Sequence, residues 1–353
     1  MLTDLKMREN ALTAAILQDL IDHYPEMMAS YAGQEAVMLS DIRFHLRFIR
    51  EAVRYESIAL MAEYVRWMND FYPGIRVSME HIWATFESIE RILHSLCVPA
   101  EWDIVAPYLA LPRQSATEQG ETQTSFLNPA NPVLDLAVAY FTHLRSGNRV
   151  AAAELIQQAV HQQQIPIRTL YLSVFQASLR EVGRLWHIHQ LTVAEEHYFT
   201  AATQLIMAQL YPLIFKTPRL GRKMIAACVG DELHEIGVRM IADFFEMEGW
   251  DSIYLGANTP VASLIDEVHK VRPSLIALSA TLLPHIEIMG EIISCLKSDP
   301  VTAWISVVVG GYPFNVDQRL WRLIRADGYA ADALSAVEWA RSRYQYSAVG
   351  VIP

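Results

Sequence analysis

The chain has 353 residues, of which 52% are hydrophobic and 19% charged, and this composition excludes a disordered protein. The formal net charge of −11 argues against a nucleic-acid surface, because contacts to backbone phosphate need clustered lysine and arginine. Cys97, Cys228 and Cys295 are too widely spaced to suggest a disulfide framework or a thiolate metal site. No signal peptide and no membrane-spanning apolar run stands out, so we expect a cytoplasmic protein that binds neither nucleic acid nor membrane.

Residues 1–112 show the periodicity of helices. The segment 41–53, for example, carries apolar residues three and four positions apart, and strand-like alternation is absent. We therefore predict an all-helical N-terminal domain. The residues at 113–130 are mostly polar and lack periodicity, so they predict a linker to the rest of the chain.

Helical periodicity resumes in residues 131–217, which predict a four-helix bundle. The clearest helical segments are Ala151–Gln163, Thr169–His187 and Val193–Tyr211. Pro212 should end the last of them, since proline disfavours helical geometry in the residue before it.

A helix–helix connection inside this bundle brings together residue types that can form a site. The sequence Thr192-Val-Ala-Glu195 is a capping box, so a helix should start at Thr192 and the preceding one should end near 187–190. This tight connection places Trp186 near the first turns of the next helix, which carry Glu196 and His197. On the residues alone, a core tryptophan beside a solvated helix face is an equally good interpretation.

Residues 218–353 alternate short apolar strands with helices, which is typical of a parallel, doubly wound sheet of the flavodoxin-like kind. The predicted strands are Met224–Val229, Ser252–Leu255, Leu275–Ser279 and Ser306–Val309. The predicted helices are His234–Glu248, Val261–Lys270, Ile286–Leu296 and Val316–Arg325. Such sheets bind ligands at the carboxyl ends of their strands.

The loops at those carboxyl ends carry the most informative residues of the chain. The first loop holds Glu232, His234 and Gly237, and an imidazole there can ligate a metal while a carboxylate holds its other nitrogen. The third loop carries Ser279 and Thr281, and the fourth carries the pair at 310–311. Small hydroxyl residues and glycines suit a bulky ligand that approaches the backbone. Each signal is weak alone, and the combination points to one site.

In this order and spacing, residues 222–345 resemble the cobalamin-binding domain family. The resemblance implies that His234 is the lower axial ligand of cobalt and that Gly237 leaves space for the displaced nucleotide tail. The channel for that tail would be lined by Ser279, Thr281, Gly310 and Gly311. The family has aspartate where this chain has Glu232, and we assign to Glu232 the task of holding the imidazole.

Nine residues separate Trp186 from the Glu196-His197 pair, a spacing that resembles the B12-dependent photoreceptors. The resemblance implies that Trp186 packs against the adenosyl group and that Glu196 and His197 contact or shape its pocket. It also implies that His187 can ligate cobalt from above after light has cleaved the cobalt–carbon bond, with His234 below. His189 is a nearby competitor for that role.

The aromatic-rich N-terminal region resembles, in architecture, the photocobilins, which add a globin-like domain that binds biliverdin. This resemblance implies a bilin site, with Arg43 and Arg47 as partners of its propionates, His45 on the same helix and Cys97 as the N-terminal thiol for attachment. An arginine stripe at helical spacing is more often a solvated face, and an aromatic-rich bundle is more often core.

Three functions fit these patterns. The expected one is a light sensor, not an enzyme, that binds adenosylcobalamin and biliverdin and changes conformation and homo-oligomeric state when light breaks the cobalt–carbon bond. A separate effector protein is a possible partner. The alternatives are a corrinoid carrier for methyl transfer and a B12-sensing regulator that works without light and binds a protein partner.

Overall fold

A computed structural model describes residues 8–114 and 124–345, which belong to two compact units, Met1–Glu121 and Thr122–Pro353. The division between the units falls inside the predicted linker, of which residues 115–123 lie outside the described part. No helix within 8–114 and 124–345 is long and apolar enough to cross a membrane.

The first unit is helical throughout its described residues, as predicted. Serine side chains cap two of its helices, since Ser57 accepts from the backbone N–H of Leu60 and Ser78 from that of Glu80. That the unit is globin-like remains a prediction. Its helices are Glu9–His23 (α1), Pro25–Ala29 (α2), Glu35–Arg54 (α3), Ile58–Gly74 (α4), Met79–Leu96 (α5) and Pro99–Gln114 (α6).

The second unit begins with a helical cap. The capping box is present, with Thr192 Oγ1 accepting from Glu195 N at 3.2 Å and Glu195 Oε2 accepting from Thr192 N at 2.7 Å. Pro212 lies in the first turn of a new short helix, where its missing N–H leaves no hydrogen bond unmade. The cap helices are Leu134–Arg145 (α7), Arg149–His161 (α8), Ile167–Thr169 (α9), Ala177–His187 (α10), Val193–Gln209 (α11) and Tyr211–Ile214 (α12).

The predicted helix 169–187 differs from a regular α-helix, because Leu170–Gln176 forms a π-helical stretch between α9 and α10. This stretch faces the sheet half of the unit, and the Tyr171 hydroxyl donates to Asp243 Oδ2 at 2.8 Å. A further hydrogen bond and an ion pair join the cap to the sheet. Gln204 Nε2 donates to Glu235 Oε1 at 2.7 Å, and Arg168 pairs with the fully buried Glu248.

The remaining residues form the predicted parallel sheet, whose strands are ordered β2-β1-β3-β4-β5. The strands are Lys223–Val229 (β1), Asp251–Thr259 (β2), Leu275–Ser279 (β3), Ser306–Gly310 (β4) and Gly328–Tyr329 (β5). The helices are Ile236–Met247 (α13), Val261–Val271 (α14), His285–Ser298 (α15), Tyr312–Val316 (α16), Leu320–Leu323 (α17) and Ala333–Tyr344 (α18).

The prediction of one helix over 316–325 is wrong, because α16 ends at Val316 and only the four residues of α17 are helical in the rest of this range. Asp317 separates them, since its carboxylate accepts from the backbone N–H of Arg319 at 3.0 Å. Strand β5 was not predicted, and it has only two residues.

The register of the sheet fixes the position of the loops. Cys228 at the end of β1 pairs with Ser279 at the end of β3, which in turn pairs with Gly310 at the end of β4. The three strands therefore end at one level, and the loops that follow them meet at the same edge of the sheet.

Candidate functional site

The first loop holds His234 through a buried carboxylate. Glu232 is 1% exposed, and its Oε1 accepts from His234 Nδ1 at 2.5 Å and from the His234 backbone N–H at 3.0 Å. The His234 side chain is 62% exposed. Because Nδ1 is bonded to the carboxylate, Nε2 is the ring nitrogen left to meet a ligand.

Glu232 also connects the first loop to the third. Its Oε2 accepts from the backbone N–H of Thr281 at 2.5 Å and from His285 Nδ1 at 3.2 Å. Burial by itself would raise the pKa of Glu232, but the hydrogen bonds from His234, His285 and Thr281 outweigh it. They hold the pKa of Glu232 far below its usual range, so the buried group is a carboxylate at neutral pH.

The charge of Glu232 changes the imidazole in turn. The hydrogen bond to Glu232 raises the pKa of His234, partial burial opposes it, and the charge of Glu196 adds to the increase. A more basic imidazole is a stronger donor to a metal ion once its proton has been displaced. The contribution of Glu196 also shows that the upper motif in α11 lies within electrostatic range of His234.

The glycines of the predicted tail channel differ in what they do. A Cβ on Gly237 would meet no heavy atom within 4 Å, so the first turn of α13 is open on that side, next to His234. A Cβ on Gly310 would lie 2.6 Å from the carbonyl oxygen of Ala330, and one on Gly311, at φ +107°, would collide with the carbonyl of Ala280. Packing between loops therefore already requires glycine at 310 and 311.

The hydroxyl residues of the third loop lie at the same edge of the sheet. Ser279 is buried at the end of β3, and Thr281 is half-buried with its backbone N–H on Glu232. Sequence, register and hydrogen bonds thus bring Glu232, His234, Ser279 and Thr281 together, with Gly237 open beside them.

The upper motif lies at the junction of α10 and α11. Trp186 is half-buried near the end of α10, and the next residue, His187, is only 5% exposed. Glu196 accepts from His197 Nδ1 at 2.6 Å and from Thr200 Oγ1 at 3.0 Å, while the His197 side chain is 74% exposed. The buried position of His187 means that its ring would have to move before it could ligate a metal from above.

The residues proposed for a bilin lie in two different environments. Arg43 and Arg47 pair with Glu9 of α1, with closest N–O distances of 3.4 and 2.8 Å. His45 is 1% exposed, shares a 2.6 Å hydrogen bond with the Tyr64 hydroxyl, and has a pKa that burial lowers to about 4. Cys97 is half-buried, and burial raises the pKa of its thiol.

Sequence reasoning missed two residues of the site. His285 is the first residue of α15 and bonds Glu232, and Glu235 accepts from the Tyr254 hydroxyl, the Ala257 N–H and the Gln204 amide. A histidine just after the third loop was a usable signal, because β3 is the neighbour of β1. Glu235 gave no such signal, since its partners come from β2 and the cap.

Comparison with known families bears directly on this arrangement. A model described as "B12 binding domain" matches residues 222–338, and a second with the same description matches residues 136–211. Together they support a cobalamin-binding protein. The first match contains the His234 loop with its companion loops, and the second contains the helical cap with Trp186 and Glu196.

Similar proteins fall into two groups. Trimethylamine corrinoid protein 1 of Methanosarcina acetivorans is 26% identical over 198 residues, which are 54% of this chain and 88% of that protein. The HTH-type transcriptional repressor CarA of Myxococcus xanthus is 34% identical over 101 residues, 29% of this chain and 33% of the repressor. The monomethylamine corrinoid protein of Methanosarcina barkeri shares the fold, with a TM-score of 0.53 at 17% identity over 59% of this chain and 98% of that one.

Proposed function

We propose that residues 122–353 hold cobalamin with its cobalt ligated from below by Nε2 of His234. The observation that carries this proposal is the exposed ring whose Nδ1 is bonded to the buried Glu232 carboxylate. His234 would supply one imidazole nitrogen to the cobalt of a bound corrin. Leu233, 71% exposed beside His234, supplies an apolar surface that a flat macrocycle would cover.

The residues around His234 fit that group. Glu232 keeps Nδ1 protonated and the ring oriented, and Gly237 leaves an opening through which a nucleotide tail can pass beside α13. When bound, cobalamin supplies a cobalt–carbon bond that can be made and broken. The chain's own part is to hold, orient and enclose the corrin, and we propose no substrate turnover by the protein itself.

The comparisons favour a corrinoid carrier for methyl transfer as the use of this site. The trimethylamine corrinoid protein aligns over 88% of its length, through a region that contains both the cap and the sheet. A carrier of this kind works with a separate methyltransferase, which would need access to the upper face of the corrin. This function assigns no particular role to Trp186 or to the Glu196-His197 pair.

A light sensor that binds adenosylcobalamin is the second candidate, and the upper motif favours it. Trp186 and Glu196 stand at the spacing of the B12-dependent photoreceptors, and Glu196 lies within electrostatic range of His234. An adenosyl group above cobalt would meet these residues. Its loss on illumination would let the cap move against the sheet and change the homo-oligomer. A B12-sensing regulator that works without light is the third use of the same site.

Illumination of the loaded full-length chain separates the candidates. A sensor loaded with adenosylcobalamin should change its absorbance spectrum and its size-exclusion profile under green light, and Trp186→Ala should weaken that response. Trp304→Ala is the matched control, because Trp304 is exposed on a loop of the sheet half. A carrier should instead exchange methyl groups between methylcobalamin and a thiol acceptor when a corrinoid methyltransferase is added. A complex that responds to neither treatment supports the third use.

We further propose that the N-terminal unit binds a bilin such as biliverdin. Support comes from a series of nearly parallel rings, in which Phe48 and Tyr64 lie 4.0 Å apart and Trp67 and Phe71 lie 4.6 Å apart between centroids. Tyr64 is buried, and the other three rings are half-buried. Flat conjugated ligands stack on such surfaces. Cations on the adjoining helix, Arg43 and Arg47, are available to propionates if their pairing with Glu9 opens.

Titration of the full-length chain with biliverdin tests this second site. We expect a red-absorbing complex. We expect Trp67→Ala to raise its dissociation constant by roughly tenfold, which corresponds to about 1.4 kcal/mol for the loss of one stacking partner. Trp102→Ala is the control, since Trp102 packs on His94 in the same unit. Equal affinities for the two variants, or no binding by the wild type, would refute the bilin proposal.

A further inference from the structure

Glu232 bonds two imidazoles, and the second has no role in the site as described so far. His285 Nδ1 lies 3.2 Å from Glu232 Oε2, and the His285 side chain is 11% exposed. The Glu232 carboxylate therefore receives donors on both oxygens, His234 on one and Thr281 with His285 on the other. A buried carboxylate with both oxygens bonded is fixed in its rotamer.

The length of the glutamate side chain makes this arrangement possible. Aspartate is shorter by one methylene, about 1.5 Å, so its carboxylate would lie closer to its own backbone. From Glu232, the carboxylate reaches across the end of the sheet to the third loop and to the start of α15. An added rotatable bond also adds conformational freedom, which must be restricted if the carboxylate is to hold His234 steadily.

His285 is well placed to restrict that freedom. Its backbone N–H donates to the Leu282 carbonyl at 3.1 Å, which fixes it to the third loop. Its ring packs toward Gly230, whose ideal Cβ would lie 3.5 Å from the ring carbon Cδ2. The backbone of His285 is thus fixed to the third loop, and its ring lies beside Gly230 and Glu232.

We propose that His285 is a positioning residue for His234. It donates through Nδ1 to Glu232 Oε2, fixes the glutamate rotamer, and so keeps Oε1 aligned with His234 Nδ1. The inference rests on the proposed role of His234 as cobalt ligand, and it adds that Glu232 and His285 act as a pair. Loss of the His285 donor lets Glu232 rotate, and His234 then loses both its orientation and its preference for the Nδ1–H tautomer.

The first test uses the full-length chain without cobalamin. Nitrogen NMR of histidine-labelled protein, at a pH where the His234 ring is neutral, measures the share of its Nδ1–H tautomer. His285→Leu should lower that share, and His285→Asn, whose side-chain amide nitrogen occupies the position of Nδ1 along the side chain, should restore most of it. An unchanged tautomer in His285→Leu would overturn the proposal, and so would a loss that His285→Asn fails to restore.

A double-mutant cycle tests the pairing with glutamate. In Glu232→Asp the carboxylate should no longer reach His285, so adding His285→Leu should change the His234 tautomer no further. An equal effect of His285→Leu in both backgrounds would show that His285 acts by general packing and would overturn the proposal. In the chain loaded with cob(II)alamin, nitrogen superhyperfine splitting measures the fraction of cobalt that is bound to His234. His285→Leu should lower the equilibrium constant for this bond by roughly threefold to tenfold.

The tautomer of His234 and the binding of cobalamin test the positioning role and the proposed function separately. If the wild-type chain fails to bind cobalamin, the proposed function is wrong, and the tautomer measurement still decides whether His285 positions His234. If cobalamin binds through His234 but the tautomer is insensitive to His285, the proposed function stands and the positioning role is wrong.

Discussion

Each of the two units contains a histidine that shares a short hydrogen bond with a polar side chain, and the two pairs are built in opposite ways. His45 of the first unit is 1% exposed and is bonded to the Tyr64 hydroxyl among aromatic rings. His234 of the second unit is 62% exposed and is bonded to the buried Glu232 carboxylate. In the first pair the imidazole is the buried partner, and in the second it is the exposed one.

The difference decides what each ring can do. Burial lowers the pKa of His45 to about 4, so the ring is neutral at physiological pH and both of its faces contact protein. The carboxylate raises the pKa of His234 and occupies Nδ1, so that Nε2 is the nitrogen available to a ligand. Of the two histidines, the one proposed as a metal ligand is thus the one with a buried partner and an exposed ring.

The largest effect should come from removing the open imidazole. We expect His234→Ala to abolish the spectrum of histidine-ligated cobalamin and to weaken retention of the cofactor by at least tenfold, because the bond from the imidazole to cobalt is lost. Absorbance spectra and equilibrium dialysis of the full-length chain measure both quantities.

His269→Ala is the control for that experiment. His269 of α14 also pairs with a carboxylate, at 3.0 Å from Asp299, the residue after α15, but its side chain is 40% exposed and that of its partner 31%. We expect no change in cobalamin binding. If His269→Ala weakened cobalamin binding as much as His234→Ala, burial of the carboxylate partner would not explain which histidine binds the cofactor.

Most of the sheet and of the His234 loop could be predicted from the sequence, for physical reasons. Strands β1, β3 and β4 are buried along nearly all their residues, so they read as uninterrupted apolar runs, and parallel topology then places their loops at one edge. The same topology could have placed His285 near the site, but its bond to Glu232 depends on the turn at 282–284, which the sequence pattern does not give. Likewise, the spacing of Arg43 and Arg47 correctly predicted that they lie on one helix. It could not reveal their partner Glu9, which lies on another helix.

Acid should destabilise the first unit more than the second. The pKa of His45 is about 4 in the folded chain and 6.5 for a free side chain, so between these values the unfolded state binds the extra proton. Stability of the first unit should therefore fall as the pH drops from 6.5 to 4, by about 3 kcal/mol in all. Hydrogen exchange of peptides from each unit, measured across this range, reports the two stabilities separately.

The Glu232–His234 pair should behave differently over the same range. The pKa of Glu232 is lowered, so its contribution is lost only when the pH falls through a value far below the usual one. The pKa of His234 is raised, so its contribution is complete below the unfolded value and is lost as the pH rises through the folded one. Exchange near the His234 loop should thus stay slow while residues around His45 become labile. In His45→Gln the acid response of the first unit should shrink, because the titrating group has gone. A response that survives this substitution would mean that another group governs the acid sensitivity, and that burial of His45 is not its cause.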